Sequence, residues 1–128
     1  STGEAFPDEV VAIKRDVERE LLKQTGQRYD FNFCLLNMYV GGKQTIGWHS
    51  DDETTLTGPI ASVSLGCERF FDMRLKTDHA KKVRVELGNG SMLFMMQPVQ
   101  SFYEHSVPAQ LRVSGTRINL TFRIVSGQ

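Results

Sequence analysis

The chain of 128 residues is 40% hydrophobic and 23% charged, the balance of one globular domain around one hydrophobic core. Its fifteen basic and fifteen acidic side chains cancel, which excludes a strongly basic binder of duplex DNA and confines any nucleic-acid contact to a local patch. No apolar run approaches the roughly 18 residues of a membrane helix and no signal-peptide pattern opens the chain, so a cytoplasmic or nuclear setting without a membrane partner is expected.

Residues 7–25 are predicted to form a helix. Pro7 suits its first position, Asp8 and Glu9 sit where the helix dipole favours anions, and Val10, Ile13, Val17 and Leu21 make an apolar stripe that Gly26 ends. From Phe31 onward the pattern changes to short strands between turn residues. These are predicted at 31–40, 45–49, 60–65 and 70–75, then at the alternating Val83, Val85 and Leu87, and at 91–96, 103–107 and 117–125. Gly88-Asn89-Gly90 reads as a hairpin turn. One helix followed by about eight strands predicts a mainly β fold, a double-stranded β-helix (jelly roll) with an N-terminal helix. A generic sandwich shares that periodicity. Cys34 and Cys67, each in or beside an apolar stretch, read as buried free thiols, and the methionines, including Met92, Met95 and Met96, as core filler.

Two constellations carry chemistry. In His49-Ser50-Asp51, positions i and i+2 at a strand end point to one side, so an imidazole and a carboxylate converge. With a distal histidine this is the facial set of non-haem iron(II) oxygenases, which leaves three coordination positions open. His105 is the natural third ligand because His79 lies in a lysine-rich loop. Taken alone, the pattern equally fits a turn carboxylate beside a satisfied histidine. The second constellation is the run 117–123, where alternation puts Arg117, Asn119, Thr121 and Arg123 on one strand face. Two inward arginines on an apolar strand require an anion, and guanidinium binds a carboxylate through two parallel hydrogen bonds. A solvated face on an edge strand is the alternative. A dicarboxylate reaching both metal and arginine would account for both constellations.

Asn37-x-Tyr39, the stretch 47–53 (Gly-Trp-His-Ser-Asp-Asp-Glu), the stretch 59–66, His105-Ser106 and the run 117–123 stand in an order that resembles the AlkB family of nucleic-acid dealkylating dioxygenases. The resemblance covers about residues 31–124, the catalytic core. It implies iron(II) held by His49, Asp51 and His105, and 2-oxoglutarate as cosubstrate. Arg117 would pair with the far carboxylate of that cosubstrate, Asn37 and Tyr39 would hydrogen-bond it, and Asn119 and Arg123 would complete its pocket. It also implies oxidative removal of N-methyl groups from bases in single-stranded RNA or DNA, releasing formaldehyde and succinate. Glu53 matches the position that contacts the modified base. The nucleotide-recognition lid that family members carry before this core is short or absent here, so residues 1–128 are expected to be one catalytic domain, monomeric by itself. Compact members also occur inside plant RNA-virus replicases, and a start without methionine would fit a viral-type member excised from a larger polypeptide.

Arg69 and Arg74 on one predicted strand, with Lys76, Lys81, Lys82 and Arg84 around the following loop, form a basic cluster that could meet phosphates or simply be solvated. Arg69, Lys81 and Lys82 are taken as candidate substrate contacts. Trp48 is expected to pack in the core, since alternation turns it away from the metal. A protein or small-molecule hydroxylase on the same scaffold, and a non-catalytic jelly-roll binding module, are the rival readings.

Overall fold

The computed structural model describes residues 6–51 and 56–126. Helix α1 (Asp8–Thr25) ends at Gly26, whose φ of 76° lets its amide donate to the Leu22 carbonyl at 2.8 Å. Eight strands follow. These are β1 (Phe33–Val40), β2 (Ile46–His49), β3 (Leu56–Gly66), β4 (Arg69–Leu75), β5 (Lys82–Leu87), β6 (Ser91–Met95), β7 (Tyr103–Val107) and β8 (Thr116–Val125). A four-residue helix, α2 (Val99–Phe102), absent from the sequence expectation, precedes β7. The strands form two antiparallel sheets in the orders β1-β8-β3-β6 and β2-β7-β4-β5, the predicted jelly roll.

Period-2 alternation divides the core in two. On the outer face of the first sheet, Ala61, Val63, Leu120 and Phe122 pack against Val17 and Leu21 of α1. Each of these helix side chains, fully buried, contributes about 1.5–3 kcal/mol. Between the sheets lie Tyr39, Ile60, Phe71, Leu87, Met95 and Val107. The intervening residues of β8 and β3, Arg117, Asn119, Thr121, Ser62 and Ser64, therefore face inward and are buried. With β1 on one side and β3 on the other, β8 is central, so its polar row is not the solvated face of an edge strand.

Several expectations are corrected. Strands β5 and β6 do not form a hairpin: β5 pairs with β4, and β6 pairs with β3. The turn at 88–90 passes the chain between sheets. It is pinned to the end of β3, where Asn89 Oδ1 accepts from the Gly66 amide at 2.9 Å and the Gly90 amide donates to the Ser64 carbonyl at 2.7 Å. Trp48 is half-buried rather than core, with the Arg74 guanidinium 4.0 Å above its ring. Met95 fills the core, but Met38 on the edge strand β1 is 55% exposed and Met92 is also exposed. Both cysteines are free and half-buried, and burial pushes the Cys34 thiol up to about 11.

Candidate functional site

Strand β2 carries an irregularity between Ile46 and His49: Ile46 pairs with Val107, but His49 pairs with His105, one residue out of register. That bulge turns both Ile46 and His49 toward the space between the sheets and leaves Trp48 on the outside. The two imidazoles lie 4.3 Å apart between centroids, nearly edge to face. Asp51, just past the strand, brings Oδ2 to 3.4 Å from His105 Nε2. One potential ligand atom from each of His49, Asp51 and His105 lies within 4.8 Å of the others.

Neighbouring groups fix these side chains. His49 Nδ1 lies 2.9 Å from the Gly47 carbonyl; when Nδ1 carries the proton and donates there, the Nε2 lone pair is left for a metal. Phe71 stacks on His105 with centroids 5.2 Å apart. Arg123 Nη2 reaches Asp51 Oδ1 at 3.2 Å. Burial works against the charged carboxylate of Asp51 and is the largest single influence. The hydrogen bond from His105 and the charges of Arg123, His105 and His49 together outweigh it, holding Asp51 below the usual carboxylate range.

The histidines and Asp51 open onto a cavity of about 350 Å³ that Asn37, Tyr39, Arg117, Asn119 and Arg123 also line. Arg117 is 2% exposed. It donates through Nη2 to Ser64 Oγ at 2.9 Å and lies 5.0 Å over the Tyr39 ring. Its Nε and Nη1, and Nε of Arg123, are buried without hydrogen-bond partners among the described residues. Burial pushes the Arg117 guanidinium below its ordinary value, against the influence of the Tyr39 hydroxyl. A buried cation with two unused donor nitrogens in a cavity wall fits an anionic oxygen, and two imidazoles with a carboxylate fit a divalent metal. The residues present therefore suit both iron(II) and 2-oxoglutarate. Asn119 spends its amide internally, donating to Ser62 Oγ at 2.6 Å and to the Val63 carbonyl at 3.1 Å, and accepting from Thr121 at 2.8 Å. It stiffens the wall rather than offering a free donor.

The other candidates divide. Arg69 is corrected from a substrate contact to a structural residue. It is 1% exposed, and its guanidinium donates to the carbonyls of Gly41, Gln44 and Pro108 at 2.8–3.1 Å and to Gln110 Oε1 at 3.1 Å. It points inward because it alternates with the outward Phe70, Asp72 and Arg74, and it closes the end of the jelly roll away from Asp51. The chain there is tight: a Cβ on Gly42 would lie 1.6 Å from the Gln110 carbonyl oxygen. Arg74 pairs with Glu104 at 2.6 Å and Arg84 with Asp72 at 2.7 Å. Lys81 and Lys82 are exposed at the β4–β5 turn, and Leu75 before that turn pairs with Tyr103, on the Asp51 side of His105. Glu53 lies outside the described residues. Ser62, Ser64 and Phe71 were not anticipated. The two serines alternate with Ala61, Val63 and Leu65, a period-2 signal that could have placed them inward; nothing local marks Phe71.

The family model of the 2OG-Fe(II) oxygenase superfamily matches residues 1–123. Among curated proteins, the chain is 40% identical to the DNA oxidative demethylase ALKBH2 of Mus musculus, over 91% of this chain and 52% of that protein. It is 34% identical to the alpha-ketoglutarate-dependent dioxygenase alkB homolog 3 of Homo sapiens, over 88% of this chain and 42% of that protein. It thus spans about half or less of these relatives. The solved structure of OsALKBH1 superposes with a TM-score of 0.71 at 25% identity, covering 94% of this chain and 65% of that one. By motif order, fold and donor set, the chain belongs to the AlkB family of 2OG-Fe(II) oxygenases.

Proposed function

We propose that this chain is the single catalytic domain of an iron(II)- and 2-oxoglutarate-dependent dioxygenase that oxidatively removes N-methyl groups from bases in nucleic acid, in the cytoplasm or nucleus. The observation that carries the reading is the convergence of His49, Asp51 and His105 on a cavity whose opposite wall holds Arg117, two of whose donor nitrogens have no partner among the described residues. Both similar proteins named above bear oxidative activities in their names, one as a DNA demethylase.

In this reading His49, Asp51 and His105 hold iron(II), whose contribution is to activate dioxygen. Arg117 grips the far carboxylate of 2-oxoglutarate, with Asn37 and Tyr39 beside it and Asn119 and Arg123 completing the wall. Arg123 also orients Asp51 by holding one oxygen, so that the other faces the histidines. The inward apolar row of Ile46, Phe71 and Val107 keeps bulk water from the reacting centre. One oxygen atom of dioxygen ends in succinate, with loss of carbon dioxide. The other ends on the methyl carbon, and the resulting hydroxymethyl group leaves as formaldehyde. A base reaches such a cavity only out of its stack, which favours single-stranded RNA or DNA. Glu53 is assigned to the base itself.

The test is formaldehyde release from a panel of N-methylated RNA and DNA oligonucleotides with iron(II) and 2-oxoglutarate. We expect methyl-dependent formaldehyde in step with succinate. Succinate formed at the same rate with and without every methylated oligonucleotide would point instead to a protein or small-molecule hydroxylase. Lys81→Glu/Lys82→Glu is expected to weaken oligonucleotide binding several-fold. It should also flatten the salt dependence, by about 0.7 in log–log slope for each single-strand phosphate that is no longer neutralised. Fluorescence anisotropy across a salt series measures this, and an unchanged slope would make that turn a solvated face only.

A further inference from the structure

A second concavity, of about 430 Å³, lies between α1 and the segment 27–32 that leads into β1, with Arg15, Arg19 and Arg28 around a floor of Leu22 and Tyr29. Its two carboxylates are already committed. Lys14 Nζ bridges Glu18 at 2.9 Å and Asp30 at 2.8 Å, and Glu18 also accepts from the Phe31 amide at 3.0 Å. Arg19 pairs with Asp16 at 3.0 Å, in an exposed pair that solvent screens. Arg15 and Arg28 are exposed and meet no carboxylate among the described residues. The groove therefore presents an uncompensated positive edge on a chain whose formal charge is zero.

Its position gives that charge meaning. A Cβ at Gly58, just after the segment that leaves Asp51, would lie 3.8 Å from the Tyr29 ring. The segment 27–32 delivers Phe33 to a position paired with Arg123, whose guanidinium touches Asp51. The groove thus sits at the same end of the jelly roll as the metal-ligand cluster, around the edge of the first sheet from the cavity.

We infer that this groove binds the sugar-phosphate backbone of the single-stranded substrate on one side of the base held in the cavity, with Arg15 and Arg28 as the phosphate contacts. This rests on the function proposed above, and it adds a binding surface built by α1 rather than by the jelly roll. Planar guanidinium forks suit phosphate oxygens, and each phosphate they neutralise releases counterions from the strand.

The experiment compares wild type with Arg15→Glu/Arg28→Glu. Both positions are exposed and outside either core, and circular dichroism checks the fold. The probes are a labelled unmethylated single-stranded 15-mer, the same 15-mer with one N-methylated base, and a methylated trinucleotide too short to span cavity and groove. The variant should bind both 15-mers about tenfold more weakly, with a log–log salt slope flatter by about 1.4, at roughly 0.7 for each of two single-strand phosphates. Its turnover of the trinucleotide should equal that of wild type. Unchanged 15-mer affinity and slope would overturn the groove while leaving the proposed activity standing. Binding of the unmethylated 15-mer does not depend on turnover. If wild type demethylates nothing, the activity fails, and the groove is still decided by that arm. Displacement of the 15-mer from wild type but not from the variant by a polyglutamate peptide, at equal charge concentration and with equal potency, would reassign the groove to an acidic protein partner and overturn the nucleic-acid proposal.

Discussion

His49→Ala is expected to abolish turnover and to weaken iron(II) binding by more than the 10–100-fold that removing an outer partner of a metal ligand typically costs. The fold should persist. His49 is half-buried at a strand end, and its ring bonds the carbonyl of Gly47 two residues away rather than a distant part of the fold. Asp51→Ala should be equally inactive but less stable than His49→Ala. Asp51 is buried and accepts from Arg123, whose Nε has no partner among the described residues, so the substitution leaves that guanidinium further uncompensated. Asp51→Asn keeps the shape and an oxygen toward Arg123, and separates the two effects. The measurement is anaerobic titration with iron(II) or manganese(II), alongside thermal unfolding and succinate formation. Full activity in His49→Ala would remove this triad from the chemistry.

Arg117→Lys should lower the apparent affinity for 2-oxoglutarate by ten- to a hundredfold, since a charged hydrogen bond is worth about 1.5–3 kcal/mol. The ammonium keeps the charge but loses the planar guanidinium, whose Nε and Nη1 have no partner among the described residues. Metal affinity should hold, because Arg117 contacts Ser64 and Tyr39 and none of the three metal candidates. Arg117→Met makes the complementary case. A buried cation without an anion destabilises the ligand-free protein, so the methionine variant should melt at or above the wild-type temperature. Added 2-oxoglutarate should then raise the wild-type Tm, as a ligand specific to the native state must, and leave the variant unmoved. Equal 2-oxoglutarate affinity in wild type and Arg117→Lys would take Arg117 out of the cosubstrate pocket.

Much of this molecule is determined by short-range pattern. The stripe Val10, Ile13, Val17 and Leu21 with Gly26 behind it specifies α1 nearly to its ends, because helix period and a left-handed cap are local properties. Alternation likewise put Arg117, Asn119, Thr121 and Arg123 on one face, and the structure has all four lining one cavity. The spacing of His49 and Asp51 already brought an imidazole and a carboxylate to one side of the chain.

What the sequence could not supply is which sheet a strand joins and where register slips. The glycine-rich turn at 88–90 looks the same whether it closes a hairpin or crosses between sheets. The bonds from the Gly66 amide to Asn89 and from the Gly90 amide to Ser64 hold it in the crossing. Arg69 and Arg84 are equally basic in the sequence, yet one is sealed under four backbone and side-chain oxygens and the other lies on the outer face paired with Asp72. The one-residue slip in β2 matters most, because period-2 geometry from Ile46 would carry Trp48 inward and His49 out. Pairing with β7 absorbs the extra residue and sets His49 opposite His105, 56 positions away in the sequence. A motif spaced along the chain supplies two of the ligands, but their meeting with the third is a property of the paired sheet, where backbone hydrogen bonds outweigh local alternation.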